Sequence, residues 1–508
     1  MAAIITSKFR LDTTNKFVGS LSDNQFYMAL GRPNAWTDDT VPTTPYENDY
    51  TSNTLWENMF AMKRVDAGDI IHSAPRNLWV SGTTYVEYDD QDTNIEGKVY
   101  FVISANNNVY MCLKAGAGAS STNPDDTAIA TSGVIDHSGS DGYIWKYMYT
   151  VPTADVTKFL TTSFIPVRHI KEAPGGGADT ALTNQWSVQN NAIDGAIYNM
   201  KITAAGTGYS SAPTLTIEGD GASAAATATV AGGAITGITM TNAGTGYTHA
   251  TVTVTGGSGS NGAVRPVIGP LGGFGADPTN DLRAHYVTIN TVFTGDESGA
   301  IPDSNDFRQI AVVKNPIEKA NESAVVTATG SMVVGNFYKI LTMGNTTDAN
   351  WATVGSTSGN PVVGEIFKAL ATTLSGSSTG TIAQVAEASA YNVCKSVTIP
   401  ASLSSTYVAD FAFEGHTGGT VGAKGICVEY NNTSGVLHYI QNESTGFGTF
   451  TTSHLTRATG SSGAGNQISA VGTPLINHHQ GDVMFVENRT ATSRGSGQVE
   501  TIRLVIAF

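Results

Sequence analysis

The sequence predicts a mainly β, multi-domain protein with a minor α/β part: a β-sandwich-like core carrying inserted small β modules. Three observations predict it. At 508 residues the chain exceeds the size that one hydrophobic core usually serves, so several cores, or one core with insertions, are required. Charged residues make up 14% against 40% hydrophobic, which is too little charge and too much apolar surface for a disordered chain. The 56 glycines, together with 19 Tyr, 18 Phe and many Thr and Val, favour short strands joined by tight turns.

Residues 1–173 are read as an N-terminal core of mixed α/β character. Leu55, Trp56, Met59, Phe60 and Met62 recur at helical spacing behind Thr51 and Ser52, which can cap a first turn, so the pattern predicts an amphipathic helix. Val99 to Ile103 and Val109 to Leu113 flank Asn106, Asn107 and Asn108, which tolerate positive φ, and this predicts a hairpin. Tyr143, Trp145, Tyr147 and Tyr149 alternate with smaller or polar residues, which predicts four rings on one face of a strand, read as a packed sheet face rather than a sugar platform. Pro174 and Gly175 to Gly177 then break the pattern.

Residues 196–269 are read as an inserted Gly-Tyr repeat module. Gly206-Thr-Gly-Tyr209 returns 38 residues later as Gly244-Thr-Gly-Tyr247, and Gly232-Gly233 opens an alternating strand between them. One full copy and one partial copy are counted. Residues 270–322 are expected to continue the core through strands His285 to Phe293 and Phe307 to Val313, the second closed by Asn315-Pro316. Residues 328–386 are expected to form a second inserted β module around Tyr338, Ile340, Trp351, Val354 and Phe367. Residues 396–480 are read as an inserted or appended β-rich module, with strands Gly425 to Tyr430 and Val436 to Ile440 and a loop at Ser461 to Gly465. Residues 481–508 are read as C-terminal core strands, the last with Ile502, Leu504, Ile506 and Phe508 on one face.

The formal charge of −15 gives a surface that repels phosphate backbones, so nucleic acid is not expected as a partner. Cys112, Cys394 and Cys427 are odd in number and far apart, which implies neither a disulfide framework nor a zinc site and fits folding in a reducing cytoplasm. No run approaches the roughly 18 apolar residues of a membrane span, so no membrane association is expected.

Four motifs invite a chemical reading and each has a plainer one. Gly376-Ser-Ser-Thr-Gly380 matches G-x-S-x-G but lies in Ser/Thr/Gly-rich turn sequence rather than at a strand-to-helix elbow. Asp90, Asp92 and Asn94 imitate the first ligands of a calcium loop, yet Ile95 stands at the glycine position and Phe101 at the glutamate position. Solvated carboxylates are the expectation there, with a weak irregular cation site left open. His478 and His479 are adjacent, and neighbours on an extended segment point apart, so the pair alone makes no metal site. The Gly-Thr-Gly-Tyr copies lack the Gly-Lys-Ser/Thr of a phosphate cradle, so their glycines are read as turn residues. No catalytic, cofactor-binding or metal-binding residue is assigned, and neither an enzyme nor a cofactor is expected.

Several stretches resemble the baseplate wedge subunit family of contractile-tailed bacteriophages, of the gene product eight type. They are Ile4-Ile-Thr-Ser-Lys-Phe-Arg10, Leu30-Gly-Arg-Pro-Asn-Ala-Trp36, Asp141-Gly-Tyr-Ile-Trp-Lys-Tyr-Met-Tyr149, Phe307-Arg-Gln-Ile-Ala-Val-Val-Lys-Asn-Pro316 and Gly481-Asp-Val-Met-Phe-Val-Glu-Asn-Arg489. The stretches 196–269, 328–386 and 396–480 depart from the family's shortest members and resemble β modules of other phage structural proteins. The resemblance implies a homodimeric structural subunit of the virion that joins other baseplate wedge proteins, made in the host cytoplasm and located in the tail baseplate. Its work would be assembly and force transmission. A tail-associated receptor or glycan-binding protein is the alternative, with Tyr209 and Tyr247 as exposed rings able to stack on a host sugar.

Overall fold

Among the described residues, those in strands outnumber helical ones threefold, 39% against 13%, and they form many antiparallel sheets in a multi-domain, mainly β architecture. The computed structural model describes residues 4–137, 140–320, 322–374, 376–402, 407–417, 420–452, 454–456 and 466–508. The loop expected at Ser461 to Gly465 lies outside the described residues. Two compact units divide the chain: Met1–Lys16, Ile71–Ile289 and Leu504–Phe508 make the first, and Phe17–Ile70 and Asn290–Arg503 the second.

In the first unit the predicted hairpin forms, Phe101–Ile103 pairing with Asn108–Lys114 around Asn107 at φ +62°. The Ser104 hydroxyl accepts from the Asn106 and Asn108 N–H groups and so ties the turn. Ile144–Thr150 pairs beyond it, but only three of its four expected rings share a face. Val109 lies opposite Tyr149 while Tyr110 lies opposite Tyr147, so Met148 is an extra residue that turns the strand over. Tyr143, Trp145 and Tyr147 therefore pack in one core with Tyr110 and Val188, and Met148 and Tyr149 pack in another with Val109, Met111 and Ile165. Val188 comes from the helix Thr180–Asn190, which no apolar periodicity announces. Asp179 caps it, accepting from the Ala181 N–H.

The Gly-Tyr module holds six strands: Ile197–Thr207, Thr214–Gly219, Ala225–Ala231, Ala234–Asn242, Ala250–Thr255 and Ser260–Ile268. They pair first with sixth, second with fifth and third with fourth. A shift of 38 residues carries the first three strands onto the last three and carries this pairing onto itself. The module is thus two equal copies about an approximate twofold, not one full and one partial copy. Val264, Arg265, Pro266 and Val267 stand where the first copy has Ala and Thr, which hides the third strand of the second copy from inspection.

Each copy's tyrosine is seated on the other copy's glycine. A Cβ on Gly259 would lie 2.3 Å from Tyr209 Cγ, and one on Gly221 would lie 2.4 Å from Tyr247 Cγ. Gly206 and Gly244 take φ of +66° and +67°, with backbone of the opposite copy less than 3 Å from where a Cβ would be, so only glycine fits. Tyr209 and Tyr247 are 6% and 5% exposed. That corrects the reading of them as open sugar-stacking rings: they are the core of the duplication.

In the second unit the expected helix starts earlier and ends sooner. It spans Asp49–Asn58, and its cap is Asn48, whose side chain accepts from the Thr51 N–H; Thr51 and Ser52 lie inside. Met59, Phe60 and Met62 belong instead to the strand Met59–Val65. Asn58 turns its amide back onto the Thr54 carbonyl, and the run Met59 to Met62 is buried throughout, as in a strand covered on both faces. That strand lies in a five-stranded sheet in the order Ala390–Asn392, Met59–Val65, Phe26–Gly31, Asp306–Lys314, Asp482–Ser493. Three of the family-like stretches therefore meet as hydrogen-bonded neighbours: Leu30 faces Ile310, and Ile310 faces Glu487. Tyr27, Trp56, Met62, Val313, Tyr391 and Val393 pack on the same core.

A four-stranded sheet, Ala324–Val325, Thr381–Gln384, Phe337–Thr342 and Ile366–Lys368, encloses Trp351 with the short helix Asp348–Val354. Ala386, just after it, is buried in the core of the five-stranded sheet. A seven-stranded sheet built from residues between Lys395 and Gly472 packs Phe413, Tyr439 and Phe450 edge to face. The final strand Val499–Ala507 alternates as predicted, with Ile502 and Leu504 buried and Thr501 and Arg503 exposed.

Candidate binding cleft

Within the second unit, residues 32–48 run from the strand Phe26–Gly31 to the helix Asp49–Asn58 without regular structure, so side chains must hold them. Arg308, buried on Asp306–Lys314, does so: its guanidinium donates to both Asp39 carboxylate oxygens at 3.0 Å and to the Pro33 carbonyl. Trp36 donates from its indole to the Arg489 carbonyl at 3.0 Å, and the Arg32 guanidinium lies 3.7 Å over its ring. Asn488 donates to the Thr43 carbonyl at 2.8 Å. The segment so fixed, the helix, Gln309 and the turn at Asn442 to Ser444 line a cleft of about 410 Å³.

Amides dominate its wall. The Asn442 amide donates to Asn58 Oδ1 at 2.9 Å, both residues being buried, and Gln309 Nε2 donates to Asn488 Oδ1 at 2.8 Å. Tyr50 donates its hydroxyl to Glu443 at 2.8 Å, which orients its ring. Burial first, and the nearby Glu443 charge second, raise the Glu57 carboxyl above its ordinary range. Four of the lining side chains keep a buried polar atom without a partner among the described residues: Arg32 Nε, Asn34 Oδ1, Glu57 Oε2 and Gln309 Oε1. Tyr46 and Tyr50 stand at the rim, 73% and 58% exposed. Sequence reasoning missed this cleft entirely, because its groups come from four separate segments and none forms a local motif.

The motifs weighed in the sequence lie elsewhere or take part in other contacts. Gly376 to Gly380 runs into the strand Thr381–Gln384, not into a helix, and the Ser378 carbonyl accepts from Thr327. The carboxylates near Asp90 are not solvated as expected. Strands Ile197–Thr207 and Ser260–Ile268 bring Lys201 and Arg265 onto Asp89 at 2.8 and 2.6 Å, Arg265 also reaches Asp90 at 3.5 Å, and Lys98 bonds Asp92. Burial opposes the Asp89 charge, but Arg265 and Lys201 hold its carboxyl down at about 2. His478 and His479 are not on an extended segment: His479 has φ +62°, and both rings lie within 6.5 Å of Trp56. His478 donates from Nε2 to the Val393 carbonyl, 2.9 Å away, and burial pushes its pKa down to about 4. Among the described residues no group of three or more His, Cys, Asp or Glu is placed to hold a metal ion, and no helix is long and apolar enough to cross a membrane.

No family model matches the chain. The chain is similar to baseplate wedge protein gp8 of Enterobacteria phage T4. Identity is 24% over 215 residues, covering 34% of this chain and 63% of gp8. The similarity therefore spans less than two thirds of the gp8 chain, and it relates this protein to a phage baseplate component.

Proposed function

We propose that this chain is a structural subunit of the baseplate wedge in a contractile phage tail, acting in assembly and force transmission through protein–protein interfaces. The observation that carries the reading is the similarity to gp8. It is supported by the five-stranded sheet, which unites the stretches around Leu30, Phe307 and Gly481, the first two on strands buried on both faces and the third on a part-exposed edge strand. In this reading the chain works as a homodimer joined to other wedge proteins, and its work is mechanical rather than catalytic. A stable twofold contact buries on the order of 1,200 Å² or more in total. With a net charge of −15 on each copy, that contact must be apolar or locally charge-complementary. Sedimentation equilibrium of the isolated chain over a concentration series, at low and high salt, tests it. A dimer that persists in high salt is expected, and a monomer at every concentration contradicts the dimer.

A further inference from the structure

We propose that the notch between Arg10, Glu96 and Arg283 in the first unit receives a carboxylate carried beside an apolar side chain on an acidic segment of another protein. The proposal goes beyond the wedge role and does not rest on it. The notch encloses about 330 Å³, and Pro75, Val99, Leu282 and Tyr286 form its apolar wall. Glu96 divides its two oxygens between the guanidiniums: Oε2 lies 3.2 Å from Arg10 Nη2, and Oε1 accepts from Arg283 Nη1 at 3.2 Å. His285 fixes Arg10 a second time, its Nε2 accepting from Arg10 Nη1 at 3.3 Å, and burial, then the Arg10 charge, lowers its pKa and keeps it a neutral acceptor. The two arginine side chains are 32% and 31% exposed, and none of their remaining N–H groups is buried, so an incoming acceptor can reach them.

Charge selects the occupant. Lys98, also on the wall, is taken by Asp92, so two arginines against one glutamate leave a single positive charge in a chain whose net charge is −15. A carboxylate cancels that charge and matches the guanidinium fork, whereas a phosphate group, at about −1.5 to −2, would leave an excess beside Glu96. A bare carboxylate gains little from the wall, but an apolar neighbour on the same segment can cover the exposed Val99 and the adjoining Tyr286. The backbone supplies a second support. The short helix Pro278–Asp281 closes in a Schellman turn, the Arg283 N–H donating to the Asn280 carbonyl at 3.2 Å and the Ala284 N–H to the Thr279 carbonyl at 2.8 Å. Arg283 stands at φ +51°, the place glycine usually takes, and an L side chain there is strained. A bridge to Glu96 as exposed as this one gains little, so it does not account for an arginine at that position; a bound carboxylate does.

The test is fluorescence anisotropy of labelled, end-blocked pentapeptides titrated with the full chain: one with aspartate between two leucines, its asparagine and phosphoserine counterparts, and free acetate as competitor. Saturable binding of the aspartate peptide is expected, weakened tenfold or more in Arg10→Gln and in Arg283→Gly. Glycine suits φ +51°, and the ion pair lost is largely solvated, so Arg283→Gly should unfold close to the wild-type temperature while losing affinity, a separation that a merely structural role for Arg283 would not give. The partly exposed Arg10 keeps the test decisive if Arg283→Gly folds poorly. Absence of saturable binding of the aspartate peptide, equal binding of the asparagine peptide, tighter binding of the phosphoserine peptide, displacement by equimolar acetate, or full affinity retained in either folded variant would each overturn the proposal.

Discussion

The interlocked duplication can be tested by adding one methyl group. In Gly259→Ala the new Cβ would lie 2.3, 2.4 and 2.6 Å from Cγ, Cδ1 and Cδ2 of Tyr209, where carbon atoms prefer about 3.5 to 4.0 Å, so ring or strand must shift by more than 1 Å. The ring has little room, since its hydroxyl already closes on Gly262, where a Cβ would stand 2.4 Å away. Overpacking of this kind costs about 1 to 3 kcal/mol. Gly221→Ala, which meets Tyr247 in the same way, should cost a similar amount because the copies are equivalent. Tyr209→Ala alone should cost about 3 to 5 kcal/mol. In the Tyr209→Ala background, however, the three atoms nearest to the methyl added at position 259 are gone, so most of the Gly259→Ala cost should vanish, a coupling of about 1 to 3 kcal/mol. Gly259→Ala combined with Tyr247→Ala should stay close to additive. Hydrogen exchange of amides in residues 197–268 reads these changes locally, with each 1.4 kcal/mol giving about tenfold faster exchange. If Gly259→Ala costs the same whether residue 209 is Tyr or Ala, the reciprocal seating is wrong.

Three other perturbations have defined outcomes. Arg494 is fully buried and donates to Glu500 at 3.0 Å and to the Pro302 and Gly295 carbonyls at 2.7 Å, so Arg494→Met, which strands the Glu500 charge, should cost about 3 to 5 kcal/mol in urea unfolding; a loss under about 1 would show the pair to be dispensable. Because burial lowers the folded pKa of His478 to about 4 from the ordinary 6.5, the unfolded chain takes up the proton first as pH falls, and stability should decline between about pH 6.5 and 4. His478→Gln should flatten that part of the pH profile, and an unchanged profile would contradict the assignment. Trp351 is fully buried, 6.1 Å from Phe367 and pressed against Gly380, so Trp351→Ala should speed exchange within residues 324–384 by the equivalent of about 3 to 5 kcal/mol while residues 197–268 keep their protection.

What could be read from the sequence was local in origin. The Asn107 hairpin and the Gly-Thr-Gly-Tyr turns depend on backbone conformations that neighbouring residues dictate, and these were legible. The helix Asp49–Asn58 was displaced because a continuous apolar run, Met59 to Met62, fits a helix or a doubly covered strand equally well until its neighbours are known. The bulge at Met148 depends on pairing with Asn108–Lys114, so no single strand could announce it. The same holds for the five-stranded sheet, which joins residues from nearly the whole length of the second unit. Glu500 shares the alternation of Ile502 and Leu504 and so stood on the buried side of its strand, but the Arg494 that makes this tolerable carries no matching sequence signal. The cleft was invisible for a related reason: Asn34, Glu57, Gln309 and Asn442 become a site only when the fold gathers them.

The most direct test of the proposed wedge role is an electron cryomicroscopy reconstruction of the intact particle to which that proposal assigns the chain. The account predicts density for the chain within the baseplate, as two copies in mutual contact that touch other wedge proteins through the part-exposed edge strand Asp482–Ser493 and the segments flanking the buried strands Phe26–Gly31 and Asp306–Lys314. Density confined to a tail fibre or to the capsid, or single copies that never meet a second, would contradict it.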